Sequence, residues 1–262
     1  MQDILQILAE SAAARTERAK RLRSPESVRR DAEAMPKGSF RFENALHTDD
    51  IAFICECKKA SPSKGLIAPD YPYLKIAQEY ENAGADCISV LTEPERFLGS
   101  DRYLAEIAAA VSLPCLRKDF TVDPYMIYEA KLLGASAVLL ICAILDKPAL
   151  TEYHNIAESV GLSALVEAHD EKEIEAAAEA GARIIGVNNR NLRDFSVDPQ
   201  RAGSLRKYAP ADVLFVVESG MRTPADIQSA RDAGADAVLI GETLMRADDK
   251  AAMLRYLKGE SQ

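Results

Sequence analysis

From about residue 50 onward the chain alternates two hydrophobic patterns. Short apolar, often β-branched runs such as Ile51-Ala52-Phe53-Ile54-Cys55 give way to stretches in which alanine and leucine recur among charges at helical spacing. Four runs share an opening: GADCISVL from Gly84, GASAVLLI from Gly134, GARIIGVN from Gly181 and GADAVLIG from Gly234, about 50 residues apart. In each, Gly-Ala ends an alanine-rich helical pattern such as Asp170 to Ala180, and the glycine supplies the left-handed residue that stops a helix. Midway between these lie Ile51 to Cys57, Pro114 to Arg117, Leu162 to Val166 and Val213 to Val217. The unit is therefore a strand and a helix, about 25 residues long and repeated about eight times. Strands apolar on both faces and separated by helices form a parallel sheet. Eight such units fit a closed (β/α)8 barrel, an α/β fold of the TIM type, better than an open sheet.

The first 45 residues stand outside this alternation. They predict two helices, one from about Asp3 to Arg23 and one opened by Ser24 as cap with Pro25 at the first helical position. No linker rich in Gly, Pro or Ser follows them. Residues 1–45 are thus expected to pack as a helical extension on the barrel of residues 46–262, making a single domain. The longest apolar run, Ala135 to Leu145, is too short to span a bilayer and reads as a buried strand.

Composition narrows the function. With 48% hydrophobic and 28% charged residues over 262 positions, the chain is globular with ample core. The formal charge of -9 disfavours general attraction to nucleic acid or anionic membrane, so an anionic ligand must be held locally. The start, MQDILQILAESAAARTERAK, lacks the features of a signal peptide, which predicts a cytoplasmic location. Cys55, Cys57, Cys87, Cys115 and Cys142 lie in apolar runs without paired metal-site spacing and read as core, with no zinc.

The polar residues that interrupt the pattern sit where strands run out, which in a parallel barrel is the active-site face. Glu56 and Lys58 follow IAFIC, Lys118 follows LPCLR, Glu167 follows LSALV, Asn188 and Arg190 follow RIIGV, and Glu218 follows VLFVV. A side-chain period of two puts Glu56 with Lys58, and Asn188 with Arg190, on one face. One such pair alone would equally suit a structural ion pair plugging the barrel. Charges of both signs converging from several strands point instead to acid–base chemistry.

Glu218-Ser219-Gly220 and Gly241-Glu242-Thr243-Leu244 end the last two strands, the usual place for a phosphate held by backbone NH groups. Ser61 lies in a long first loop, Lys59 to Tyr71, that is a candidate lid. His169, which opens the helix DEKEIEAAAEAG, reads as a solvated turn residue, and His47 and His154 lie away from strand ends.

ECKKASPSKG, SVLTEPERFLGS, LRKDF, ALVEAHDE, IIGVNNRNL, VVESGM and LIGETLMR together resemble indole-3-glycerol phosphate synthase, in order and from about residue 2 to residue 257. The resemblance implies ring closure, decarboxylation and dehydration of 1-(2-carboxyphenylamino)-1-deoxyribulose 5-phosphate, a carboxy-lyase reaction of tryptophan biosynthesis that uses no metal or organic cofactor. It implies Lys118 as the acid that protonates the ketone oxygen. Lys58 would pair with the substrate carboxylate and help protonate the departing hydroxyl. Glu167 would be the base that removes the ring proton and restores aromaticity. Glu56, Asn188 and Glu218 would orient the lysines and the ribulose hydroxyls. Ser61, Ser219, Gly220 and Gly241 would bind phosphate, Phe97, Phe120 and Leu139 would line the anthranilate pocket, and Arg190 joins the substrate-binding set. Thr243 stands where the family often has serine, and keeps the hydroxyl. A monomer is the expectation, with a dimer left open, and the partner is a small molecule rather than nucleic acid or membrane. Two other readings are another phosphosugar barrel enzyme, such as phosphoribosylanthranilate isomerase, and a non-catalytic barrel that binds a phosphorylated metabolite. The isomerase would have no use for Glu56, Lys58, Lys118 and Glu167 together, and the idle barrel would be expected to have lost one of them.

Overall fold

Eight parallel strands close into a ring in the computed structural model, which describes residues 4–191 and 195–260. They are β1 (Ala52–Cys57), β2 (Cys87–Leu91), β3 (Cys115–Lys118), β4 (Ala137–Ile141), β5 (Ser163–Ala168), β6 (Ile184–Asn188), β7 (Leu214–Glu218) and β8 (Ala237–Ile240). Each pairs with its neighbours in sequence, and β1 closes the ring on β8 with Ala52 opposite Ala237 and Cys55 opposite Ile240. A helical segment follows each strand. Gly84, Gly134, Gly181 and Gly234 end four of these at φ of 79, 85, 88 and 75°, the left-handed stop that the repeat predicts.

Strand alternation sorts the apolar side chains into two layers. Ala52, Ile54, Cys87, Leu116, Leu139, Leu165, Ile184, Val216 and Leu239 cluster inside the ring. Phe53, Cys55, Cys57, Ile88, Val90, Leu140, Val166 and Ile185 pack outward against the helices. Four of the five cysteines are buried as expected. Cys142 is half-buried, because the run read as one strand to Leu145 ends at Ile141 and turns through a 3-10 segment, Cys142–Ile144.

The amino-terminal segment holds three helices rather than two: α1 (Ile4–Leu22), α2 (Pro25–Ala34) and a short α3 (Arg41–Leu46). The expected start at Asp3 lies outside the described residues. Ser24 caps α2 as read, accepting from the Ser27 NH at 3.3 Å. Leu5, Leu8 and Ala12 of α1 join the inner cluster, as do Phe42 and Leu46 of α3, Phe42 beside Cys87 at the start of β2. Polar ties hold α1 over the loop after β3: Arg15 donates to Asp119 at 2.8 Å and Lys20 to Asp123 at 2.6 Å. Among the described residues, no helix is long and apolar enough to cross a membrane.

Asp119 is fully buried and also accepts from Thr92 at 2.7 Å, so Arg15 neutralises a carboxylate that water does not reach. Arg15→Ala should therefore lower stability by about 1.5–3 kcal/mol in urea unfolding. An unchanged midpoint would show that α1 is held by its apolar stripe alone.

Candidate active site

The innermost charges are fixed by strand parity and register. Counting inward-facing positions up each strand ends on Glu56 in β1, Lys118 in β3, Glu167 in β5, Asn188 in β6 and Glu218 in β7. Register sets Glu56 opposite Ser89, Glu167 opposite Gly186 and Asn188 opposite Glu218. These side chains, with Lys58, open into a cavity of about 420 Å³ at the carboxyl ends of the strands. Every residue singled out from the sequence lines it: Glu56, Lys58, Ser61, Phe97, Lys118, Phe120, Leu139, Glu167, Asn188, Arg190, Glu218, Ser219, Gly220 and Gly241.

Two ammonium groups face three carboxyls. Lys118 Nζ lies 2.5 Å from Glu218 Oε2 and 3.4 Å from Glu167 Oε2. Lys58 Nζ lies 2.6 Å from Glu56 Oε1, whose other oxygen accepts from Ser89 at 3.3 Å. The pairs are nearly dry, with side-chain exposure of 12% for Lys118, 3% for Glu167 and 2% for Glu218. Burial opposes the charge on Lys118, but Glu218, Glu167 and Glu56 together raise its pKa above the ordinary lysine value. Burial likewise pushes Glu218 up, and with Glu167 beside it the carboxyl reaches about 7 despite Lys118. For Glu167, burial is outweighed by Lys118 and then His169, so its pKa falls. With one carboxyl in excess, the surplus proton belongs on Glu218.

Two glycines make room for these groups. A Cβ on Gly186 would sit 2.5 Å from Glu218 Oε1, and one on Gly241 would sit 2.4 Å from Glu56 Oε1 and 2.7 Å from Lys58 Nζ. The cavity wall divides by chemistry. On one side Phe97 and Phe120 stand 6.3 Å apart, centroid to centroid, with Leu139. On the other lie Ser61, Gly220, Gly241 and Ser219, the last held at a φ of 68°. Such a backbone is unfavourable for serine and collects at functional sites. Glu242, at the start of the short helix Glu242–Arg246, gathers cations there: Arg246 at 3.2 Å, Lys64 at 3.6 Å and Arg190 at 3.8 Å.

One sequence reading is corrected. His169 is not a solvated turn residue: its side chain is 15% exposed, with Nε2 at 3.3 Å from Glu167 Oε1 and Nδ1 at 3.2 Å from Glu173 Oε2. The chain turns into the helix Glu171–Glu179 so tightly that the Glu173 carboxylate accepts from the His169 backbone NH at 2.7 Å and draws the ring inward. Ile4, Leu5 and Leu8 of α1, which also line the cavity, went unread, although the spacing of Leu5, Leu8 and Ala12 marks an apolar stripe. In GVNNRNL, Asn189 is fully buried and braces the strand end through the Ser219 carbonyl and the Ala202 NH. Leu192 lies outside the described residues.

A family model described as indole-3-glycerol phosphate synthase matches residues 4–257. The indole-3-glycerol phosphate synthase of Ruminiclostridium cellulolyticum is 55% identical over 259 residues, covering 98% of this chain and 100% of that protein. That of Endomicrobium trichonymphae is 51% identical over 256 residues, covering 97% and 99%. Among solved structures, a 3-hexulose-6-phosphate synthase superposes with a TM-score of 0.65 at 16% identity, over 81% of this chain and all of its own. A mandelate oxidase variant does so at 0.64 and 18% identity, over 89% and 88%. Likeness at these identities concerns the fold alone.

Two predictions test the geometry. Gly241→Ala must displace the Glu56–Lys58 pair and should cost about 1–3 kcal/mol of stability in urea unfolding; no loss would mean that the pair moves freely. A carboxyl that holds its proton longer folded than unfolded stabilises the fold below the ordinary carboxylate range, and that contribution is lost as pH rises through about 7. Wild type should therefore lose stability relative to Glu218→Gln between about pH 5 and about pH 8. Parallel pH profiles would place the surplus proton elsewhere.

Proposed function

The chain belongs to the indole-3-glycerol phosphate synthase family, and from that premise we propose that Lys118 is the acid and Glu167 the base of its reaction. The reaction converts 1-(2-carboxyphenylamino)-1-deoxyribulose 5-phosphate to indole-3-glycerol phosphate, carbon dioxide and water. The aryl carbon that carries the carboxylate attacks the ketone carbon. The ketone's electron pair moves to oxygen, which takes a proton from Lys118. The bond to the carboxylate then breaks, carbon dioxide leaves, and the pair returns to the aryl ring. Finally the hydroxyl departs as water with a second proton from the lysines, and Glu167 removes the proton from the adjacent ring carbon to give the aromatic indole.

The observation that carries this assignment is the single ammonium of Lys118 held between Glu218 and Glu167, 2.5 and 3.4 Å away, in a cavity lined by Phe97 and Phe120 on one side and by Ser61, Ser219, Gly220 and Gly241 on the other. Each carboxylate that holds the ammonium also weakens it as an acid. A proton on Glu218 near neutral pH loosens that hold while leaving Glu167 ionised as base. Lys58, braced by Glu56, is placed for the substrate carboxylate and the departing hydroxyl. Asn188 and Glu218 orient the ribulose chain. Ser61, Ser219, Gly220 and Gly241 receive the phosphate, with Arg190 beside them, and Phe97, Phe120 and Leu139 flank the anthranilate ring.

Because Ile4, Leu5 and Leu8 supply part of the cavity wall, we assign the extension to the catalytic unit rather than to a separate domain. We propose that the protein acts on a small molecule, as a monomer in the cytoplasm.

Product fluorescence tests the assignment. Lys118→Ala should lose at least about a hundredfold in turnover while affinity for a phosphate-bearing product analogue changes little. Near-normal turnover would remove Lys118 as the acid. Glu167→Gln should close the ring yet stall before aromatisation, so a non-fluorescent intermediate accumulates in a single turnover; wild-type traces would reject it as the base.

A further inference from the structure

The proposed steps do not balance in protons inside the cavity. The ketone oxygen takes one proton and the departing hydroxyl a second, both from the lysines. Only one returns, from the ring carbon to Glu167, because the carboxylate leaves as carbon dioxide without one. Each turnover therefore draws one proton from solvent. Lys118, which gives the first of the two, has a side chain only 12% exposed.

One chain of contacts leads from Lys118 away from the cavity. Lys118 Nζ is 3.4 Å from Glu167 Oε2, Glu167 Oε1 is 3.3 Å from His169 Nε2, and His169 Nδ1 is 3.2 Å from Glu173 Oε2. Side-chain exposure rises outward from Glu167, from 3% there to 15% at His169 and 23% at Glu173. His169 and Glu173 do not line the cavity, so substrate leaves this route open. Glu167 Oε1 and His169 Nε2 are both buried and, although 3.3 Å apart, are not aligned for a hydrogen bond. A small rotation of either side chain would form it.

We propose that His169 is a positioning residue that admits the solvent proton: the neutral ring takes a proton at Nδ1 from water on the side of Glu173 and releases one at Nε2 to Glu167, which passes it to neutral Lys118, and the ring then turns to bring the proton left on Nδ1 back to face Glu167. No electrons change hands, and water supplies the proton at the outer end of the route. The imidazole is faced by Glu167 near the end of β5, Glu173 on the following helix and Glu218 on β7. Cys142 lies against the Glu173 backbone, and burial pushes its thiol up to about 12, so it remains neutral. Burial lowers the pKa of His169, but the Glu173 hydrogen bond and the carboxylates around the ring outweigh it and raise it above the ordinary histidine value, which favours uptake of a proton by the ring.

The inference rests on the proton count of the proposed reaction, so wild type is assayed first; an inactive wild type overturns both readings. Steady-state turnover of His169→Ala, His169→Gln and Glu173→Gln is then measured with increasing imidazole at constant ionic strength, beside single-turnover ring closure. In both His169 variants kcat should fall at least about tenfold with KM within about twofold, and Glu173→Gln should lower kcat in the same direction. The first ring closure should proceed at the wild-type rate, because Lys118 starts loaded. Imidazole should restore kcat in His169→Ala in proportion to its protonated fraction, which no packing role would produce. Unchanged kcat in the folded His169 variants, or a loss in His169→Ala that imidazole does not restore, overturns the relay while leaving the acid and base assignments standing.

Discussion

The site depends on a charge imbalance in a dry place. Two ammonium groups and three carboxyls share the mouth of the barrel, and each would be costly there alone. Pairing makes Lys58 with Glu56, and Lys118 with Glu167, tolerable, and leaves Glu218 as the group that holds a proton near neutrality. That surplus proton bears on the other two assignments. Glu167 beside Glu218 stays ionised, its burial outweighed by the pull of Lys118 and His169, and a neutral Glu218 weakens the hold of the carboxylates on Lys118, as the proposed acid requires.

The scaffold serves this cluster by leaving atoms out as much as by supplying them. A methyl group at Gly186 would occupy the space of the Glu218 carboxyl, and one at Gly241 would collide with both members of the Glu56–Lys58 pair. Closed parallel pairing brings residues from β1, β3, β5, β6 and β7 to one level without any loop holding them. Helix α1 completes the enclosure, with Leu5 and Leu8 turned to the cavity and Arg15 tied to the strand end through Asp119.

Much of this was legible because barrel geometry converts spacing into direction. A two-residue period places Glu56 and Lys58 on one face, and a glycine-stopped helix before four of the runs locates every second strand, so strand ends, and with them the site, follow from pattern alone. What depends on where a side chain settles, or on an uncapped turn, did not follow. His169 lies two positions beyond Glu167 and opens a helix, and nothing local shows that Glu173 draws its ring inward. The short α3 lacks a side-chain cap, its N-cap being the left-handed Phe40, so no sequence signal announces it. The strand read through Cys142 ends early because Cys142–Ile144 winds into a 3-10 turn, a change that an unbroken apolar run conceals.

An acidic protein acting on an anionic substrate must separate its charges rather than balance them overall. Here the carboxyls gather at the floor, where protons move, while Lys64, Arg190 and Arg246 gather at the rim around Glu242. Their attraction lowers the Glu242 pKa against the effect of burial, so this carboxylate remains an anion among cations. A phosphate arriving beside it brings more negative charge to the same three side chains and can draw them from Glu242 without leaving any unpaired. On the proposed placement of the phosphate, binding would exchange one set of ion pairs for another, and these cations do not stand bare without it.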